Sequence, residues 1–331
     1  MTTADVVSGA TETAPRSERG IRRERASVPK ALPPPNMPLR AGLWMASRSL
    51  RLLGQSRYIF ADGIGWGIYT FGTKPAAQRR CADNHHRLDP TISDAEARRR
   101  ARSSYREFMR MSFDFVWMYA IPPRRMPRHS RTEGLDHVWR TLDQYGGGIF
   151  VLAHYGTWDV AAAIALSLGI RLTTVMTKVG DSDLATRIAA WARRHQDMEV
   201  LITGRGAARG LIAAVKRGRF DAILADIPDR RNRVVVDFCG GPVNFSTGPA
   251  WIARTTRVPI LCVDCYRDSD GRHRMVIHPP IVTGENETDR DIMQRVARVL
   301  EEQIKKVPTQ WYPFGDVYVD GGGTPPAGPP A

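Results

Sequence analysis

The chain has few cysteines and no long apolar run. Four cysteines occur in 331 residues, and the closely spaced pair, Cys262 and Cys265, falls within a stretch that reads as a β-strand. Residues three apart on a strand point to opposite faces of the sheet, so we expect no metal or redox site and a reducing, cytosolic setting. No uninterrupted apolar stretch of about 18 residues is present, and residues 1–20 lack an apolar core, so we predict neither a spanning helix nor a signal peptide.

Several common catalytic motifs are also missing. The sequence contains no G-x-S-x-G nucleophile elbow, which argues against a serine hydrolase of the α/β-hydrolase type. It contains no G-x-x-x-x-G-K-[ST] phosphate loop and no H-E-x-x-H zinc motif. No arrangement of aromatic and basic residues typical of RNA binding stands out, so nucleic acid is not expected as a partner.

Lysine is scarce, whereas arginine is abundant. Six of the 48 basic residues are lysine, which leaves 42 arginines, and the formal net charge is +14. Such a surface suits anionic partners: phosphate-bearing cofactors, acidic carrier proteins, anionic lipid headgroups or nucleic acid. Charge alone does not choose among them.

Composition divides the chain into one domain and two tails. Residues 1–38 and 321–331 are rich in proline and small or polar residues, so we predict that both are disordered. The domain between them, 39–320, begins with a helical part, 39–125, and continues as an α/β core, 126–320. We predict strands near 148–153, 171–176, 198–203, 221–226, 234–238, 259–267 and 273–278, and helices near 158–168, 182–195, 207–217, 248–256 and 287–306. This alternation predicts an α/β fold with a mostly parallel, doubly wound sheet flanked by helices.

Leucines and aromatic residues alternate with arginines in the first helical segment, 41–60. This composition is typical of a helix that lies in a membrane interface. It is equally compatible with an N-terminal helix packed on the domain. Both interpretations stay open at this stage.

The stretch 148–159 is the most informative part of the sequence. An apolar run, 149–153, predicts a buried strand, a turn containing Gly156 follows His154, and Thr157 is a plausible N-cap for the next helix. Sites in open α/β sheets lie at the carboxyl ends of strands, where His154 stands. If His154 lies on the turn and Asp159 in the first helical turn, the two side chains can meet, and the carboxylate would leave one imidazole nitrogen free as a base. The alternative is a structural histidine and an acid that stabilises a helix N-terminus.

A glycine-rich loop at 204–210 suggests a second class of function. It follows an apparent strand, opens a helix and is followed by Asp226 at the end of the next strand, which resembles the nucleotide-binding fingerprint of a nicotinamide oxidoreductase. The position that should hold the third glycine is Arg209, so the fingerprint is incomplete. The loop also remains a candidate anion site because Arg205 precedes a helix N-terminus.

A short motif and four further blocks, in order, resemble the lipid A biosynthesis acyltransferase family, which includes the mycobacterial phosphatidylinositol mannoside acyltransferases. The motif from His154 to Asp159 looks like the H-x4-D/E box of bacterial lipid acyltransferases. The other blocks are 133–138, 204–218, 224–250 and the closing Pro308-Thr-Gln-Trp311, and the resemblance covers about residues 45–315.

The resemblance implies transfer of a fatty acyl chain from acyl-CoA or acyl carrier protein to a hydroxyl of a lipid acceptor. It implies that His154 is the general base, that Asp159 supports it, and that Arg205, Asp226 and more weakly Asp229 bind substrate. No other cofactor is expected. Backbone N–H groups near Gly156 or Gly241 are candidates for stabilising the oxyanion.

Three departures from the family pattern concern the acceptor and the membrane. The third block reads Asp226-Ile-Pro-Asp-Arg230 and the closing motif continues with Tyr312-Pro-Phe314, which favours a mannosylated phospholipid, a lysophospholipid or a secondary-metabolite acceptor over a lipid A precursor. Arginines within 41–60 suggest peripheral attachment to the cytoplasmic face of the membrane. A non-catalytic lipid-binding relative is a further alternative.

Overall fold

The computed structural model describes residues 33–177, 182–204, 206–227 and 232–319. These residues form ten α-helices and nine β-strands. The first four helices are α1 Met37–Leu53, α2 Arg57–Gly67, α3 Pro75–Leu88 and α4 Asp94–Trp117. The remainder alternates: β1 Ser130–Glu133, α5 Leu135–Tyr145, β2 Gly148–Leu152, α6 Trp158–Ser167, β3 Leu172–Met176, α7 Asp183–His195, β4 Glu199–Ile202, α8 Ala207–Lys216, β5 Phe220–Leu224, β6 Arg233–Phe238, β7 Gly241–Ser246, α9 Gly248–Thr256, β8 Ile260–Arg267, β9 His273–Ile277 and α10 Asp289–Lys306.

Seven strands form one mostly parallel sheet. Their order is β1-β9-β8-β2-β5-β3-β4. Each neighbouring pair is parallel except β8 and β9, which are antiparallel. The prediction of a mostly parallel α/β sheet is therefore confirmed.

Strand β6, predicted near 234–238, does not join this sheet. It pairs with β7 in a separate antiparallel hairpin. The connection consists of Cys239 and Gly240, whose φ angles of 53° and 90° are both positive. Two consecutive positive φ angles are typical of the tight turns that join antiparallel neighbours, so the local turn fixes the partner of β6.

Helices cover both faces of the main sheet. Strand β2 is buried along its whole length, and its side chains alternate between two apolar clusters. Ile149 and Val151 pack in the cluster formed by α8, α9 and α10. Phe150 and Leu152 pack in the cluster that contains α6. Burial on both faces explains why the strand reads as a continuous apolar run.

The N-terminal helices pack on the core while exposing apolar side chains. Asp114 of α4 is 0% exposed and accepts hydrogen bonds from Arg57 and Tyr58 of α2, and it also forms an ion pair with Arg267 of β8. Exposed apolar residues on α1, α2 and the following turn are Met37, Trp44, Met45, Leu52, Leu53, Ile59, Phe60, Ile64, Trp66 and Phe71. Within the described residues, none of the helices is both long enough and apolar enough to cross a bilayer. Helix α1 begins at Met37, inside the segment predicted to be disordered.

Candidate active site

His154 and Asp226 lie side by side at the carboxyl edge of the sheet. Strands β2 and β5 are parallel neighbours in a register that pairs Leu152 with Leu224. Each of the two polar residues follows its strand by two positions, so the register brings them together. Nδ1 of His154 lies 2.8 Å from Oδ1 of Asp226, and the backbone N–H of His154 donates to Oδ2 at 2.8 Å.

This two-point contact fixes the orientation of the imidazole. The side chain of Asp226 is 8% exposed and that of His154 is 27% exposed. A carboxylate accepts hydrogen bonds, so Nδ1 carries the proton that it donates to Asp226. The lone pair of the neutral ring then lies on Nε2. The Trp158 ring packs against the imidazole in a T-shaped arrangement, with the ring centroids 5.2 Å apart.

Asp159 makes a different contact from the one that the sequence suggested. It stands in the first turn of α6, as expected, but its carboxylate accepts two hydrogen bonds from Arg193 of α7, at 2.9 and 3.1 Å. Asp226, and not Asp159, makes the contact with the His154 ring. The turn at Gly156 directs Trp158 rather than Asp159 toward the imidazole, and the carboxylate of Asp159 is directed at α7.

The turn after His154 requires glycine and is held by backbone hydrogen bonds. Gly156 has φ of 63°, and a Cβ at this position would lie 1.9 Å from the carbonyl oxygen of Cys265. Its N–H donates to the carbonyl of Gln310 at 2.8 Å. This N–H group, one of the two candidates for stabilising the oxyanion, is therefore already hydrogen-bonded within the protein. The other candidate, Gly241, begins β7 in the separate hairpin.

Thr157 occupies the N-cap position of α6, but its side chain does not cap the helix. Its hydroxyl lies 3.1 Å from Nδ1 of the buried His273 on β9. Its backbone N–H donates to the carbonyl of Cys265 at 2.6 Å. The threonine thus joins the turn to strands β8 and β9 instead of satisfying the first helical N–H groups.

The closing motif, residues 308–311, and the tyrosine that follows it stabilise the same turn and the neighbouring strand β8. The side chain of Gln310 accepts from the backbone N–H of Arg267 and donates to its carbonyl, at 2.9 and 2.8 Å. Trp311 forms an isolated antiparallel bridge with Tyr155. Tyr312 donates from its hydroxyl to the carbonyl of Gly156 at 3.1 Å. The sequence pointed to this segment only through the family resemblance, because its contacts depend on distant strands.

Two predicted substrate-binding residues, Arg205 and Asp229, lie outside the described residues. The loop that contains Arg205 follows β4, the edge strand of the sheet, and leads into α8. A nucleotide-binding loop in a doubly wound sheet opens into the crevice between neighbouring strands at a switch point. The edge position and the incomplete glycine pattern leave the oxidoreductase alternative unsupported.

Cys262 and Cys265 pack on opposite faces of β8, as the strand period requires. Cys262 belongs to the cluster with α10, and Cys265 belongs to the cluster with α6. Burial raises the pKa of the Cys265 thiol to about 12, and it raises the pKa of the Cys262 thiol well above its usual range. A thiol that stays protonated is a weak nucleophile and a weak metal ligand.

Comparisons of the sequence with known proteins find a family and several relatives. The profile of the family described as bacterial lipid A biosynthesis acyltransferase matches residues 35–315. A phosphatidylinositol mannoside acyltransferase of Mycolicibacterium smegmatis is 27% identical over 213 residues, which cover 63% of this chain and 68% of that protein. Its namesake in Mycobacterium tuberculosis is 26% identical over 182 residues, or 54% of this chain and 57% of that protein.

Proposed function

Because the chain belongs to the bacterial lipid A biosynthesis acyltransferase family, we propose that it is an O-acyltransferase. In this proposal it moves a fatty acyl chain from acyl-CoA or acyl carrier protein to a hydroxyl of a glycolipid, a phosphatidylinositol mannoside or a lysophospholipid. The observation that carries the proposal is the His154–Asp226 contact at the carboxyl edge of the sheet.

His154 acts as the general base. Its Nε2 takes the proton from the acceptor hydroxyl while the hydroxyl oxygen forms a bond to the thioester carbonyl carbon. The tetrahedral oxyanion then collapses, the C–S bond breaks, and the leaving thiolate takes the proton back from the imidazolium. No acyl-enzyme is required, since the thioester is already activated and the enzyme aligns and deprotonates the alcohol.

Asp226 supports the imidazolium that forms during transfer. Its carboxylate faces Nδ1 and is held by the backbone N–H of the same histidine. The mostly buried position of Asp226 limits screening by water, so its charge stabilises the protonated ring. We assign this supporting role to Asp226 instead of Asp159.

Asp159 has a structural role in this proposal: it holds the turn in place and takes no part in proton transfer. Its paired hydrogen bonds with Arg193 join the first turn of α6 to α7. A bidentate contact between a guanidinium and a carboxylate has a defined geometry, so it fixes where α6 begins. Trp158, which contacts the His154 ring, is the first residue of that helix.

Arg205 and Asp229 remain proposed substrate-binding residues. Arg205 stands in the sequence directly before the segment that opens α8, where a helix N-terminus favours anions. A phosphate of the donor or acceptor is the group that its guanidinium would bind.

We further propose that α1 and α2 attach the protein peripherally to the cytoplasmic face of the membrane. Trp44, Leu52, Ile59 and Phe60 are exposed on these helices. Arg48 is also exposed on α1, with its guanidinium over the Trp44 ring at 5.1 Å. Exposed apolar side chains next to cations are typical of helices that lie in a membrane interface. Attachment of this kind would bring a lipid acceptor to the enzyme.

The proposal is tested by measuring thiol release from a panel of acyl-CoAs with and without a lipid extract. We expect release that requires the extract and is lost in His154→Ala, with an acylated glycolipid or phospholipid identified by mass spectrometry. The same assay with acyl carrier protein as donor distinguishes the two thioester carriers. A folded wild-type protein that transfers from neither donor, or a His154→Ala variant as active as wild type, would refute it.

A further inference from the structure

A cleft of about 650 Å³ opens at the carboxyl end of β8. Its walls come from the turn between β8 and β9, from α4, from the turn before α2 and from the segment that follows α10. Sites for small molecules usually occupy roughly 300–1,000 Å³, so the cleft has the size of a binding site.

The cleft lies on the same edge of the sheet as His154. Strands β2 and β8 are parallel neighbours, and Val151 pairs with Cys262. Continuing that register places His154 level with Cys265. The cleft is lined by Tyr266 and the residues that follow it.

The catalytic turn and the cleft share a wall. Gln310 lines the cleft, and its backbone carbonyl accepts the N–H of Gly156. The hydroxyl of Tyr312 lies 3.1 Å from the carbonyl of Gly156 and 3.5 Å from that of Glu107, which also lines the cleft. One tyrosine side chain therefore spans from the cleft wall to the turn that follows His154.

The charges around the cleft do not favour a phosphate. Among its lining residues are three carboxylates, Glu107, Asp268 and Asp270, and two guanidinium groups, Arg110 and Arg267. Arg267 and Arg110 both form ion pairs with Glu107. Asp268 is paired with Arg131 and Arg274, and Asp270 is paired with Arg131. Each charge of the lining therefore already has an opposite partner, and neither a phosphate nor a cation would meet an uncompensated charge there.

A neutral ligand with many hydroxyl groups fits this lining better. Hydroxyls donate to carboxylate oxygens and accept from guanidinium N–H groups, so one polyhydroxylated ring can hydrogen-bond to both the acidic and the basic side chains of the lining. Tyr266, which is partly exposed, adds an aromatic surface with a polar end. Amphipathic surfaces of this kind suit ligands with both apolar and hydroxyl-bearing faces.

We propose that this cleft binds the sugar or cyclitol part of the acceptor. The inference rests on the proposed function, in which the acceptor is a glycolipid. It places one ring of the acceptor beside β8 and the reacting hydroxyl, which a neighbouring ring carries, beside His154. The phosphate of such an acceptor lies outside the cleft.

The first test is direct binding without any acyl transfer. Methyl α-D-mannopyranoside and myo-inositol are added separately to the full chain, and saturation-transfer NMR detects bound ligand. Ser269 is exposed in the turn between β8 and β9 and lines the cleft. Ser269→Trp should fill the cleft and abolish the signal, whereas Ser269→Ala, the matched control, should retain it. Gln55→Trp, in the turn before α2 that also lines the cleft, is the second variant should the tryptophan at 269 prevent folding.

The second test is steady-state transfer to a mannosylated phosphatidylinositol acceptor. Ser269→Trp should raise KM for the acceptor by about tenfold or more with little change in kcat, because the cleft binds a part of the acceptor remote from the reacting hydroxyl. If His154-dependent transfer continues with unchanged KM and neither sugar binds, the cleft assignment is wrong while the proposed function stands. If the sugars bind and Ser269→Trp abolishes the signal, but no lipid is acylated, the cleft is a sugar-binding site and the proposed function is wrong.

Discussion

Replacing Asp226 and Asp159 by asparagine, one at a time, distinguishes which of the two carboxylates supports His154. In wild type, Oδ2 accepts the backbone N–H of His154 and Oδ1 faces the ring Nδ1. An asparagine that keeps both contacts must direct its oxygen at the backbone N–H and its NH₂ group at Nδ1. The ring proton then moves to Nε2, so the nitrogen that should act as base has no lone pair.

Asp226→Asn also removes the negative charge that stabilises the imidazolium, and this loss sets the size of the effect on kcat. Two unit charges about 4 Å apart attract by about 4 kcal/mol at an effective dielectric constant of about 20. Since a tenfold change in rate corresponds to about 1.4 kcal/mol, Asp226→Asn should lower kcat by about 10³-fold. Asp159→Asn keeps one hydrogen-bond acceptor for Arg193 and leaves the His154–Asp226 contact intact, so we expect a loss of about tenfold or less.

The assay is initial-rate thiol release with saturating acyl donor and acceptor, on both variants and wild type. Thermal melting checks that each variant is folded. A folded Asp226→Asn enzyme with nearly wild-type kcat, beside an Asp159→Asn enzyme that has lost about 10³-fold, would refute the assignment of Asp226 and restore the role that the sequence motif gave to Asp159.

Three further predictions concern stability. Burial, with a smaller contribution from Glu199, raises the pKa of Asp221 from 3.8 to about 8. The folded state therefore keeps a proton that the unfolded chain releases, and the free energy of unfolding falls by a few kcal/mol as pH rises through that window. Asp221→Asn should raise the melting temperature more at about pH 8 than at about pH 5, and an equal effect at both would contradict this assignment. Gly156→Ala should cost at least about 1–3 kcal/mol in chemical denaturation, because of its positive φ and the Cβ clash; unchanged stability would show that the turn tolerates a side chain. Gln310→Ala leaves the buried N–H and carbonyl of Arg267 unpaired and should cost about 2–4 kcal/mol in the same measurement, whereas a loss below about 0.5 kcal/mol would mean that water replaces the side chain.

Local patterns were sufficient to place most of the core strands. The strand predicted at 148–153 is β2, Gly148–Leu152, and the strand predicted at 221–226 is β5, Phe220–Leu224. Both are apolar runs because helices cover both faces of the sheet. Strand β1 was missed because it is polar and only partly buried on alternate residues, as expected at the edge of a sheet.

The partner of His154 could not be found from local spacing. Asp159 is five residues away and Asp226 is 72 residues away, yet Asp226 makes the contact. Strand order decides this, because β2 and β5 are neighbours although β3 and β4 stand between them in the sequence. The available signal was that His154 and Asp226 each follow an apolar strand closely, but this identifies a pair only when the strands are known to be adjacent.

The central claim is that His154 removes the proton from a lipid hydroxyl during acyl transfer. The most direct measurement is formation of the ester product in a single turnover by wild type and by His154→Gln, with folding of both confirmed by thermal melting. We predict that wild type forms the acylated lipid and that His154→Gln binds the acyl donor but forms product at least about 10³-fold more slowly. Product formation by folded His154→Gln at the wild-type rate would contradict the account.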